Sequence, residues 1–192
     1  MKKRIAEHKI LDLLLNRWSP RAMSGETIGD EELMSFFEAA RWAPSSFNNQ
    51  PWRFVYAKRE SQYWNMFFNL LVDANKEWAK NAAVLIVVVS ANNFAYNNKP
   101  SRTHSFDTGA AWENLALQGY AQGLVVHGME GFDYDRAKKE LNIPDDYTVE
   151  AMVAVGKPGS LDVLPVALQK KEELSDRKKI EEFVFEGEFK ST

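Results

Sequence analysis

The run Ala82-Ala83-Val84-Leu85-Ile86-Val87-Val88-Val89 constrains this chain more than any other segment. It is uninterrupted by a polar residue and rich in β-branched side chains, which fit a pleated, packed surface. A strand without polar alternation has no face to offer to water. Residues 83–90 are therefore expected to form a strand buried on both faces. The run is far too short to span a bilayer, so no membrane partner is expected.

Helical spacing occupies much of the remaining chain. Ile5, Leu11, Leu14 and Leu15 predict a first amphipathic helix, ended around residues 16–20 because Pro20 disfavours helix at Ser19. Leu33, Phe36, Phe37 and Ala40 recur at i, i+3, i+4 and i+7. Thr27 with Asp30 resembles a capping signal for that helix, and Pro44 stops it. Further helices are predicted over 63–80, 107–122 and 134–141, the last capped by Asp133. Strands are predicted at Trp52–Lys58, 124–127 and 148–155. Residues 92–103, rich in Asn and holding Pro100, predict a loop. The tail is charged over 170–179 and apolar again at Phe183, Val184, Phe185 and Phe189. Helices and strands mix without regular βαβ alternation, which predicts an α+β fold. No repeat or linker divides the 192 residues, which fit one domain spanning 1–192.

Composition narrows the partners. A formal net charge of −3 leaves no broad positive field for a nucleic-acid backbone. Zero Cys excludes disulfides, thiolate metal sites, iron–sulfur clusters and thiol nucleophiles together. It fits a reducing cytoplasm, the expected location. Residues 5–15 include Glu7, His8, Lys9 and Asp12, too many charges for a signal-peptide core. The chain carries 12 Phe, 6 Trp and 6 Tyr, a supply that suits either a Phe-rich core or the cover of a ligand or second subunit.

Three loop segments carry candidate chemistry. Arg17-Trp18-Ser19-Pro20-Arg21 sets two guanidiniums around a hydroxyl. That grouping suits a phosphate through charge-assisted hydrogen bonds, and it equally suits a solvated helix end. The segment from Ala43 through Pro44, Ser45, Ser46, Phe47, Asn48, Asn49, Gln50 and Pro51 to Trp52-Arg53-Phe54 links a helix to a strand. Its amides, hydroxyls and carboxamides can pair with a heterocycle, or can serve only turn chemistry. His127-Gly128-Met129-Glu130-Gly131-Phe132-Asp133 lies between a strand and a helix. Its glycines allow close approach to a flat ligand, or simply make a connection.

Several common sites are missing. There is no Gly-x-Gly-x-x-Gly fingerprint and no P-loop. His8, His104 and His127 lie far apart in sequence and no His-Glu-x-x-His occurs, so no metal is expected. His104, Ser105 and Asp107 are neighbours that cannot converge as a hydrolase triad, and are expected to start a helix.

In order and spacing, the three segments resemble the nitroreductase family. The resemblance rests on Arg17-x-Ser19-x-Arg21 after the first helix, then Ala40-Arg41-Trp42-Ala43-Pro44-Ser45-Ser46-Phe47-Asn48-Asn49-Gln50-Pro51-Trp52-Arg53-Phe54. It continues through Asp107-Thr108-Gly109-Ala110-Ala111, residues 119–124, Glu130-Gly131-Phe132-Asp133, Ile143-Pro144 and Val155-Gly156-Lys157-Pro158. Ser175-Asp176-Arg177-Lys178-Lys179 resembles the family's closing basic segment.

That resemblance implies an antiparallel sheet flanked by helices and an intertwined homodimer with FMN held non-covalently at the subunit interface. It implies that Arg17, Ser19 and Arg21, with Trp18 among them and Arg177 helping, hold the ribityl phosphate. Pro44, Ser45, Ser46 and Asn48 would contact the flavin from the other subunit. Glu130 and Gly131 would set backbone amides near the ring, with Gly128 and Met129 leading into them. Gln50 and Asn75 would join the same pocket. Three departures concern the substrate: Ser175 stands where many relatives carry a basic residue, Trp78 or Lys80 occupies the place of a flavin-directed Lys, and the active-site loop around Asn92–Thr103 is short and Asn-rich.

The implied activity is NAD(P)H-driven, ping-pong reduction of small electron-poor acceptors such as nitroaromatics or quinones. The cofactor carries the hard chemistry, so no side chain is expected to act as nucleophile or general base. The alternatives are a flavin-binding module without turnover, or a family branch that dehydrogenates or dehalogenates its substrate.

Overall fold

The computed structural model describes residues 3–190. The apolar run forms β2 (Val84–Ala91), buried at every position but its last. It pairs with β1 (Trp52–Lys58) on one side and β4 (Tyr147–Gly156) on the other, and β3 (Val125–Met129) closes the far edge. The order is β1-β2-β4-β3, with every neighbouring pair antiparallel.

Two-sided burial of β2 follows from two separate cores. Leu85, Val87 and Val89 pack with Phe67, Leu70, Trp78 and Met152 on one face. Val84, Ile86 and Val88 pack with Leu33, Phe36, Leu115 and Val153 on the other. Each such side chain, fully buried, contributes roughly 1.5–3 kcal/mol. The first face is covered by α3 (Trp64–Leu70), α4 (Asp73–Ala79) and α6 (Tyr134–Glu140). The second is covered by α2 (Asp30–Arg41) and α5 (His104–Ala121). Gly119 lets α5 lie close on the sheet, since a Cβ there would stand 2.3 Å from Val126 Cγ2. The register of β2 on β4 slips once. Val88 faces Ala151 while Val89 faces Val149, so Glu150 is left over as a β-bulge.

Three expectations need correction. The first helix does not begin near Ile5; α1 spans only Asp12–Asn16 and buries none of its residues. Ile5 is 89% exposed, because the apolar spacing there has no core to pack on within this chain. The helix expected over 63–80 is broken between α3 and α4. There Val72 N–H donates to the Gly131 carbonyl at 3.1 Å and Leu71 bridges to Phe132, so long-range pairing takes the backbone out of the helix. The N-cap of α2 is Gly29, not Thr27, and Glu32 Oε2 accepts the Gly29 N–H at 3.3 Å. The cap at Asp133 is present: its carboxylate accepts Arg136 N–H at 2.9 Å. Residues 92–103 contain no helix or strand, and His104 opens α5. A short α7 (Val166–Gln169) precedes an extended tail. No helix among the described residues is long and apolar enough to cross a membrane.

Candidate functional site

The turn after α1 opens onto a pocket of about 300 Å³ lined by Arg4, Arg17, Trp18, Ser19, Arg21, His127, Lys171 and Arg177. Glu173 and Ser175 complete the wall. The tail thus returns to the start of the chain. Arg4 makes the closure: Nη1 donates to the Leu15 carbonyl at 3.0 Å and the Arg17 carbonyl at 2.6 Å, and Nε donates to the Ser175 carbonyl at 3.0 Å. Arg17 Nη1 reaches Ser19 Oγ at 3.3 Å, and its Nε lies 3.6 Å from Glu113. Arg21 lies 3.5 Å from Glu172, whose other oxygen accepts the Arg21 and Ala22 amides. Arg177 donates to Ser175 Oγ at 3.0 Å.

Five cations around one cavity repel one another. Burial, then the charges of Arg177 and Arg17, holds the Arg4 guanidinium below the usual arginine value. The pocket is therefore short of negative charge, and a bound anion would relieve the repulsion. His127, on β3, ties the turn to the sheet, with Nδ1 2.9 Å from the Pro20 carbonyl and its ring 4.5 Å from Trp78. Burial pushes its pKa down, against the Pro20 contact that raises it, and Arg21 adds to the depression. The ring is thus held toward its neutral form, with an N–H free to donate to Pro20.

Beyond β3 the chain turns at Glu130 and Gly131. The Gly131 carbonyl accepts Val72 N–H at 3.1 Å and Asn75 Nδ2 at 2.9 Å, which fixes the peptide. A Cβ on Gly131 would meet Asn75 Nδ2 at 2.8 Å, so only glycine keeps this approach. Glu130 and Gly128 are exposed, whereas Met129 is buried in the core and presents only backbone.

The segment after α2 is shaped differently. Phe47, Asn48 and Gln50 have φ of 52°, 53° and 49°, a region that non-glycine residues rarely occupy. Side-chain contacts hold the strained loop. Buried Asp107 accepts Ser46 N–H at 3.0 Å and Thr103 Oγ1 at 3.1 Å, and Ser45 Oγ accepts Gln50 N–H at 3.0 Å. Asn49 Oδ1 accepts Ala95 N–H at 2.9 Å, joining the loop to residues 92–103. Pro44, Asn48 and Gln50 are exposed, and Ser45 and Ser46 are half-buried.

These residues form two groups rather than one. Arg17, Trp18, Ser19, Arg21 and Arg177 meet at the β3 edge, where Gly128, Met129, Glu130, Gly131 and Asn75 also lie. Pro44, Ser45, Ser46, Asn48 and Gln50 lead into β1, at the opposite edge. Three inter-strand steps separate the edges, about 14 Å. Arg4, Lys171, Glu172 and His127 were not singled out for this pocket by the sequence. Arg4 and Lys171 carry no local signal beyond the basic stretches that contain them, and only the return of the tail recruits them.

The profile of the nitroreductase family matches residues 14–157. Protein DrgA of Synechocystis is 30% identical over 153 residues, covering 66% of this chain and 73% of that protein. An Archaeoglobus fulgidus protein provisionally named NADH dehydrogenase/NAD(P)H nitroreductase is 26% identical over 152 residues, 77% of this chain and 84% of its own length. The crystal structure of an oxidoreductase containing FMN superposes with a TM-score of 0.94 at 44% identity, over 98% of this chain and 97% of that one. The shared profile, the antiparallel sheet and the two loop groups converge on one assignment: this chain belongs to the nitroreductase family.

Proposed function

We propose that the chain is an FMN-dependent NAD(P)H oxidoreductase that works as a homodimer on small, electron-poor acceptors. The observation that carries this reading is the anion-hungry pocket at Arg4, Arg17, Arg21, Lys171 and Arg177. The donor set fits FMN: guanidiniums and the Ser19 hydroxyl suit a phosphate dianion. The 44%-identical relative is an oxidoreductase containing FMN.

Arg17, Ser19 and Arg21 would hold the phosphate, with Arg177 closing over it. Glu130, Gly131 and Asn75 would face the ring from the same subunit. When bound, the flavin supplies two-electron hydride chemistry, and the protein supplies binding, orientation and electrostatics. The strained Pro44–Asn48 loop presents hydroxyls and amides to the ring of the partner's cofactor. Cationic side chains near the phosphate end favour the more negative, reduced state of whatever is bound. No side chain is required as nucleophile. NAD(P)H and acceptor would use one exposed face in turn, a ping-pong order, with nitroaromatics and quinones fitting as flat rings.

Two features support the dimer. The residues assigned to one site lie on opposite sheet edges, so two copies complete it. The chain also exposes 11921 Å², whereas a compact monomer of this mass exposes about 9,300 Å². Ile5, Leu11, Phe183 and Phe189, on the terminal arms, are 58–89% exposed and would pack on the second copy. All 192 residues act as one domain in this reading.

The test is optical. Purified protein should be yellow, and anaerobic NADPH or NADH should bleach it. Colourless protein that FMN cannot restore would overturn the cofactor; colour that neither nucleotide bleaches would leave a flavin-binding module without turnover.

A further inference from the structure

Between the two central strands and α5 a second polar cluster lies outside the contacts described so far. Ser90 Oγ, buried on β2, is 2.7 Å from His104 Nδ1 and 2.5 Å from Glu150 Oε1. Ser105 Oγ donates to the same Glu150 oxygen at 2.6 Å and lies 3.3 Å from His104 Nδ1. His104 Nδ1 and Glu150 Oε1 are 3.7 Å apart, and each side chain is 23% exposed. The β-bulge is what creates this contact. Strict alternation along β4 would send Glu150 to the core of Met152 and Ala154. The slip between Val88 and Val89 turns it instead toward α5, a re-aiming that bulges perform beside functional sites.

The cluster also borders the loop assigned to the flavin. Asp107, three residues along α5 from His104, accepts Ser46 N–H at 3.0 Å. Three residues of helix rise about 4.5 Å. Thr148, on β4 beside Glu150, donates to Asn92 Oδ1 at 2.7 Å and fixes the start of the 92–103 loop. The groups facing the imidazole are Ser90 from β2, Glu150 from β4 and Ser105 from α5. Asp107 is engaged by Ser46 and Thr103. Tyr134, from α6, has its phenol pushed up by burial and by the charges of Glu130 and Glu150. No hydrogen bond occupies His104 Nε2 among the described residues. This is not a serine-nucleophile arrangement, because serine and carboxylate meet the same ring nitrogen.

We propose that Glu150, Ser90 and Ser105 orient His104 beside the acceptor, and that the imidazole passes a proton through Nε2 to the acceptor's oxygen. The step rests on the oxidoreductase reading above and balances with it. With a bound flavin supplying the hydride to a quinone-class acceptor, His104 would give H⁺ to the carbonyl oxygen and be reprotonated from water. His104 is the catalytic residue; Glu150, Ser90 and Ser105 are positioning residues.

Anaerobic stopped flow separates the halves, with menadione as acceptor. His104→Ala should leave bleaching by NADPH unchanged and slow reoxidation by about 100-fold, with free imidazole restoring part of the rate. Glu150→Gln should slow reoxidation less and keep the same bleaching rate. A second readout needs no turnover: in oxidised holoenzyme without nucleotide, menadione should shield His104 from diethyl pyrocarbonate, scored by mass spectrometry. If both variants reoxidise at the wild-type rate, or if menadione gives no protection, the assignment is wrong. If they lose thermal stability alone, the cluster is only a tether. Wild type that NADPH cannot bleach would defeat the underlying oxidoreductase reading itself, and this proposal with it.

Discussion

His127 Nδ1 stands 2.9 Å from the carbonyl of Pro20, joining residues 107 positions apart in the chain. Through that bond the edge strand β3 fixes the turn that carries Arg17, Ser19 and Arg21. The imidazole is kept below its ordinary pKa, first by burial. Its proton is therefore bound more readily in the unfolded chain. The stability it contributes is present above the ordinary histidine value, about 6.5, and is lost as pH falls through the lowered folded value. Urea unfolding of wild type should weaken over this acid range, and His127→Asn should flatten that limb. An acid limb unchanged by the substitution would place the titrating group elsewhere.

Arg17 lines the cationic pocket with its side chain 17% exposed, against 31% for Arg21. Hydrogen bonds to a charged group contribute about 1.5–3 kcal/mol. Arg17→Ala is thus expected to weaken FMN binding by roughly 10- to 100-fold, read by fluorescence titration of the apoprotein. Unchanged affinity would remove Arg17 from the phosphate site.

The two loop groups predict complementation between subunits. Ser46→Pro removes the N–H that Asp107 accepts, and Ser45 is already extended, at φ −150° and ψ 156°, as the residue before a proline requires. Homodimers of Arg17→Ala and of Ser46→Pro should both bind FMN poorly. Mixed dimers, purified with two different tags, should regain one tight site of the two. Failure of the mixture to recover any site would mean that each subunit builds its own.

Gly119 tests the packing of α5. A methyl group there collides with Val126 Cγ2 at 2.3 Å, where α5 crosses β3. Gly119→Ala should cost about 1–3 kcal/mol of unfolding free energy, measured in urea. Were the loss negligible, the helix would not be seated as closely as this contact requires.

Much of the architecture is legible in local pattern. Apolar continuity over 82–89 reports burial on both faces, and helical spacing at Leu33, Phe36 and Ala40 reports burial on one. Both depend on near neighbours, which a sequence displays directly. The same spacing misleads at Ile5 and Leu11, where one chain supplies no core to cover the pattern. The break at Leu71 and Val72 escapes local reasoning for a related reason: its cause is Gly131, far along the chain.

By itself the sequence determined the strands, the long central helix, and the three loop segments with their family order. Only the tertiary structure decided that those segments divide between two sheet edges, because strand order is set by pairing across long stretches of chain. Only it brought Arg4 to Ser175, 171 positions away, and so gathered five cations around one cavity. Only it placed the bulge that aims Glu150 at Ser90 and His104. The physical reason is the same each time. Periodicity encodes which side of an element is buried, whereas convergence of charges depends on which elements become neighbours.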